Sequence, residues 1–293
     1  MAAVQKKAKL SPEEVFEKAK GRALQGGLAG AAAMGINVLT LMWMRTTINY
    51  QYRHGTGTVD ALKTLYKEGG VPRFYRGLVP ALIQGPLSRF GDTAANTGTL
   101  ALLDNLDETA DMPVWAKSMA ASLSAALFRI FLMPVDTFKT TMQVQGKEGI
   151  TNLFKKARST GPQVFYYGSI AAASATYVGH YPWFATHNYL SSVIPKPDGF
   201  FEKLGRNAVI GFCATAVSDT LSNSIRVVKV YKQSNTETIG YPEAVKRVIA
   251  EDGVMGLFGR GLKTKLISNG FQGVMFSVLW KYIDETVFKA KKE

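Results

Sequence analysis

Six stretches of the chain, at roughly 22–50, 78–103, 115–143, 169–192, 205–233 and 262–288, are rich in Ala, Gly, Leu, Phe and Ile and poor in charge. Each is about 25 residues long, the length of a helix that crosses a bilayer with some tilt. None is an uninterrupted apolar run, so hydropathy alone leaves buried helices of a soluble protein open. Small residues, as in "GGLAGAAAMG" (26–35), would let membrane helices approach closely. Three polar stretches alternate with these segments: "GTVDALKTLYKEGG" (57–70), "GITNLFKKARSTG" (149–161) and "GYPEAVKRVIAEDG" (240–253). All three space their apolar residues as amphipathic helices do, with Leu62, Leu65 and Tyr66 forming such a face in the first.

The pattern repeats. Asp60-Ala61-Leu62-Lys63 matches Glu243-Ala244-Val245-Lys246, and each polar stretch is followed by an aromatic-basic-glycine motif. The motifs read "PRFYRG" ending at Gly77, "QVFYYG" ending at Gly168 and "GLFGRG" ending at Gly261. The ends of the odd-numbered apolar segments also align: "TLMWMRTTIN" (40–49), "PVDTFKTTMQ" (134–143) and "SIRVVKVYKQ" (224–233). The unit is therefore about 90 residues long, and its copies run at about 20–105, 113–195 and 203–289.

On these repeats and on "PVDTFK", a full Pro-x-Asp/Glu-x-x-Lys/Arg signature, the chain resembles the mitochondrial carrier family over almost its whole length, as a divergent member. The resemblance implies a single all-α membrane domain over 1–293, with six transmembrane helices in three pseudo-symmetric repeats and three short matrix-side amphipathic helices. It implies kinks at proline or serine in the odd helices, near a gate of ion pairs facing the matrix. Carried over by position, the gate residues are Arg45, Asp136, Lys139, Arg226 and Lys229, braced by Gln143 and Gln233. Asp136 can meet Lys229. Met42 offers Lys139 only an apolar contact, and Arg226 would face Arg45, like against like. The outer gate is weaker still: "ANTGTL" (95–100) and "THNYLS" (186–191) carry no charge, and "WKYID" (280–284) reverses the usual order.

The family's substrate contacts fall here on Gln84, Arg89, Ala175, Thr176, His180, Lys265 and Ser268, with Arg129 opposite and able to pair with Asp219. The basic members suit a carboxylate or phosphate. The turns containing Arg76, Gly77, Gly168, Arg260 and Gly261 start helices, where free N–H groups favour phosphate. The resemblance assigns cardiolipin there.

Composition narrows this picture. The 293-residue chain is 46% hydrophobic and carries a net charge of +13, which fits anionic lipid or an anionic solute. A lone cysteine, Cys213, excludes an internal disulfide, and His54, His180 and His187 are too scattered for a metal cluster. No cofactor is called for, no grouping of nucleophile and base points to an enzyme, and no groove-reading motif points to nucleic acid. The N-terminus lacks a secretory core, its Glu13 and Glu14 are unlike a transit peptide, and Ser11 looks like a helix start. Two functions stay open: transport of a small anion by alternating access across the inner mitochondrial membrane, or a non-transporting accessory subunit of a respiratory complex there. The kept repeats favour the first and the broken gates the second.

Overall fold

The computed structural model describes residues 34–106 and 109–283. The helix start expected at Ser11, the apolar positions before residue 34, and Asp284 lie outside them. The described residues form ten α-helices and no strand. They are α1 (34–54), α2 (Thr58–Phe74), α3 (Leu78–Asn105), α4 (Val114–Phe131), α5 (Met133–Gln145), α6 (Gly149–Thr160), α7 (Ser169–Val193), α8 (Phe200–Gln233), α9 (Tyr241–Gly259) and α10 (Leu262–Ile283).

The long helices close a ring. α3 packs on α4, α4 on α7, α7 on α8 and α8 on α10. α1 completes the circle. Its Val38 and Met42, both fully buried, pack on Ala81 of α3, and its Thr40 hydroxyl lies 3.2 Å from Met275 Sδ of α10.

The polar stretches form α2, α6 and the first part of α9, all at the C-terminal ends of the odd helices, hence on one face of the ring. α2 is broken at Gly69 and Gly70, and α9 at Gly253. In α2 the buried face consists of Ala61 and Leu65, with Leu62 half-buried, whereas Tyr66 is exposed. Tyr66 therefore lies off the face that the spacing assigned it to.

Only one odd helix kinks. Pro134 opens α5, and the pair Val114–Phe131 and Met133–Thr160 is bent by 65°. Proline supplies no N–H and clashes with the preceding turn, so the break falls at Leu132. α8 runs unbroken through Ser224, and α1 through Thr40. Serine keeps its backbone donor, so the helix is not broken at Ser224 as it is before Pro134. Among the described residues, no single helix is long and apolar enough to cross a membrane, though the bent pair is. Polar side chains facing the ring lower the hydropathy: α8 carries Asp219, Arg226, Lys229 and Lys232, and the charge-free α7 carries Ser, Thr, His and Asn.

Candidate functional site

The ring encloses a cavity of about 440 Å³, lined from α1, α3, α4, α5, α7, α8 and α10. All eight expected substrate positions line it: Gln84, Arg89, Arg129, Ala175, Thr176, His180, Lys265 and Ser268. So do Arg45, Asp136, Lys139, Gln143, Arg226 and Lys229. Gln233 reaches the same group from α8. Among the described lining residues, seven are Arg or Lys (Arg45, Arg89, Arg129, Lys139, Arg226, Lys229, Lys265) and two are Asp (Asp92, Asp136). That imbalance sets the chemistry of the space.

One clasp crosses the axis. Asp136 accepts from Lys229 Nζ of the next repeat at 2.5 Å and from Lys139 Nζ on its own helix at 2.5 Å. Gln233 braces it, donating at 3.1 Å to the Thr137 hydroxyl and approaching Asp136 at 3.4 Å. The second brace works differently: Gln143 Oε1 accepts from Asn49 at 2.5 Å, while its amide lies 3.6 Å from Met42 Sδ. Met42 thus contacts the brace rather than Lys139, whose second partner is Gln84 Oε1 at 3.1 Å.

Two sequence expectations fail here. Arg226 does not take Arg45 as its partner. It turns along its own helix to Asp219 at 3.5 Å. Arg45 instead donates to Asn37 Oδ1 at 3.1 Å and lies 3.7 Å from Met34 Sδ. Arg129 does not pair with Asp219. Asp92 on the neighbouring helix α3 lies 2.6 Å from Arg129 Nη2, while Asp219 receives Lys265 at 2.7 Å and Asn269 at 2.8 Å. Sequence reasoning missed Asp92, Asn37 and Asn269, because none falls on a repeated motif position. His180 faces Ser122 Oγ at 2.9 Å.

Around the rim, a second set of contacts joins each repeat to the next. Arg73, fully buried, donates to the carbonyls of Gln143 and Val144 at the end of α5 at 2.8 and 2.9 Å, and to Glu68 at 2.7 Å. Lys156 donates to Asn235 O at 2.8 Å and Glu237 O at 2.9 Å, just past the end of α8. Arg260 reaches Tyr52 O and Arg53 O at the end of α1 at 3.5 and 3.3 Å, held by Asp252 at 2.7 Å and Glu251 at 2.9 Å. Arg73 and Arg260 thus meet carbonyls that a helix end leaves unpaired, and Lys156 meets carbonyls of the loop that follows α8. In the middle repeat Tyr167 stands where the other two carry arginine. Lys156 and Lys232 lie over its ring, at 5.2 and 4.7 Å from the centroid. Burial, and then the charge of Lys232, push the Lys156 ammonium down to about 8.

The turn glycines belong to the same rim. Gly77 and Gly168 hold φ of +85° and +87°. A Cβ at Gly77 would stand 3.0 Å from Lys139 O, and one at Gly168 would stand 3.1 Å from the Lys229 and Gln233 side chains. Gly261 packs likewise on Tyr52. These glycines let each even helix begin directly against the gate helix of the next repeat. Arg260, expected at a lipid headgroup, has its guanidinium buried and committed to protein partners.

Three like units around a charged central cavity, tied edge to edge at one face, define a solute carrier of the three-repeat kind. The sequence profile described as mitochondrial carrier protein matches residues 18–99, 110–197 and 201–291. The chain belongs to the mitochondrial carrier family, which makes it a transporter and places it in a mitochondrial membrane. It is 27% identical over 184 residues to the mitochondrial substrate carrier family protein E of Dictyostelium discoideum, a match covering 56% of this chain and 60% of that protein. It is 25% identical to a mitochondrial thiamine pyrophosphate carrier 1 of Neosartorya fischeri, over 72% of this chain and 71% of that one. The human mitochondrial thiamine pyrophosphate carrier is 24% identical, over 75% of each chain.

Proposed function

We propose that the chain is a multi-pass carrier of the inner mitochondrial membrane that moves a small anionic solute by alternating access. The observation that carries this reading is the excess of seven cationic over two acidic lining residues in a cavity of about 440 Å³. Cations that outnumber the carboxylates they share around one cavity favour an anionic ligand, and Arg in particular suits phosphate and carboxylate geometry. The relatives named for thiamine pyrophosphate make phosphoryl-bearing solutes the first to try. The Asp136 clasp is the part of the gate that opens toward the matrix, and α2, α6 and α9 face that side. The accessory-subunit reading rested on incomplete gates, and the cavity with its intact clasp weighs against it. Cardiolipin belongs, on this reading, at the helix starts of Gly77, Gly168 and Gly261, with Arg76 the arginine nearest to it.

The test is uptake by liposomes containing the purified chain, using phosphate, diphosphate, thiamine pyrophosphate and di- and tricarboxylates. Saturable uptake of at least one of these, reduced by Lys265→Gln, is expected. Uptake of none of them above protein-free liposomes would overturn the reading.

A further inference from the structure

The clasp end of the cavity is out of electrical balance in a specific way. Asp136 serves both Lys139 and Lys229, and Asp219 serves both Arg226 and Lys265. Arg45 has no carboxylate partner among the described residues, where it meets Asn37 and Met34. Five cations therefore share two carboxylates, leaving three positive charges uncompensated. The two groups form one field: Arg45 interacts electrostatically with Lys139, and Lys229 with Lys265. Lys265 adds a second observation. Its Nζ is buried, and Asp219 at 2.7 Å is its one ion-pair partner among the described residues, which leaves N–H donors of a three-donor ammonium open to the cavity. All five cations line the same cavity. Concentrated like charge in a poorly solvated space opposes closure of the helices that carry it.

We propose that the closed end is an anion-locked gate, in which an oxyanion of two or more negative charges bridges Arg45 to Arg226 and Lys265. The anion does across the first and third repeats what Asp136 does across the second and third. A monovalent anion would leave two of the three charges in place, so charge number decides affinity. Phosphate and diphosphate chemistry fits best, since two guanidinium groups and an ammonium line the same cavity. The same anion is either the transported solute on its way through or a resident ion that sets the gate. Only in equating it with the solute does the inference rest on the transport reading.

The experiment uses the full chain in detergent micelles. Thermal unfolding is followed while sodium diphosphate, phosphate or chloride is added at matched ionic strength. Diphosphate is expected to raise the melting temperature more than phosphate, with chloride giving no shift. Arg45→Gln should weaken the apparent diphosphate affinity at least about tenfold, the loss of one charge-assisted contact. Without anion, Arg45→Gln should melt no lower than the wild type, because it removes an uncompensated charge. A merely structural Arg45 would melt lower instead. Should Arg45→Gln not fold, Arg226→Gln serves with the same expected loss. Equal diphosphate shifts in wild type and variant, or no shift in the wild type, overturn the proposal. Uptake by liposomes separates the two readings. Uptake with no Arg45-dependent shift sinks the anion lock alone. A lost shift in Arg45→Gln with no uptake of any anion sinks the transport reading and leaves a resident ion at the gate.

Discussion

The rim and the axis of the ring have diverged from threefold symmetry to very different degrees. At the rim all three joints are made: Arg73 to α5, Lys156 to the end of α8, and Arg260 to α1. At the axis, among the described residues, the aligned gate positions make one ion pair between repeats, Asp136 with Lys229, while Arg129 with Asp92 links repeats away from those positions. The rim contacts are mostly side chain to backbone carbonyl, so any basic group that reaches will serve. That is why a lysine on α6 can stand in where Tyr167 replaces arginine. The axial joints need a particular acid opposite a particular base, and a change such as Arg at 226 cannot be absorbed the same way. Shape thus tolerates substitution where gating does not. The rim maintains the carrier architecture, while the axis sets what the carrier responds to.

The largest effect should come from breaking a rim joint. Arg260→Leu would strip Asp252 and Glu251 of their buried partner and release the end of α1. The two carboxylates are a third or more exposed and can rehydrate, so the cost falls on the orphaned α1 carbonyls and the lost packing, about 3 kcal/mol in all, and the protein in detergent should melt well below the wild type. If it melts within a degree or two of the wild type, the rim does not hold the repeats together.

At the axis, Asp136→Asn removes the one carboxylate that joins repeats two and three and leaves Lys139 and Lys229 facing each other. Destabilisation of about 3 kcal/mol is expected, accompanied by loss of the closed state. Adding diphosphate should recover a larger share of it than in Arg260→Leu, where it adds only the shift it gives the wild type. Equal recovery in both variants would erase the distinction between rim and axis.

A subtler change is Gly168→Ala. It forces a side chain to φ of +87° and toward Lys229 and Gln233 at 3.1 Å. The cost of the left-handed conformation is about 1–2 kcal/mol. Gly205→Ala, with open space around its Cβ, is the control and should change little.

The smallest effect is a slope with pH. Lys156 titrates at about 8 when folded, against 10.5 for an ordinary lysine. The folded protein sheds this proton first, so this group's contribution makes stability rise as pH climbs from about 8 toward 10.5, and it is flat below that window. Lys156→Gln should remove that part of the slope between pH about 7.5 and about 9.5. An unchanged slope would mean that burial and Lys232 do not together depress the ammonium.

Much of this was legible in the sequence because the repeat carries it. The three aromatic-basic-glycine turns and the aligned ends of the odd helices placed Asp136, Lys229 and every expected cavity position in the right space. What the repeat could not reveal were partners that break it. Asp92 takes Arg129, and Asn37 takes Arg45, because each lies within reach across a helix pair or two turns along one helix. Neither relation is written as a motif. Rim capping was hidden for the opposite reason: its acceptors are backbone carbonyls, which every sequence has. Arg260, at a motif position, therefore read as a lipid ligand, and Arg73, three residues before the turn's own arginine, did not register. The single kink follows from chemistry visible in the chain, since Pro134 lacks a donor and Ser224 does not.

The central claim is that the axis closes fully only around an anion, and the most direct test is a distance across it. In a Cys213→Ser background, spin labels at His54→Cys and Thr236→Cys report the separation of the α1 and α8 ends, both labelled sites being exposed. In liposomes, diphosphate should collapse a broad distance distribution to one short population, and Arg45→Gln should keep it broad at the same concentration. A distribution that is already narrow without anion, and unchanged by diphosphate in either protein, would contradict the account.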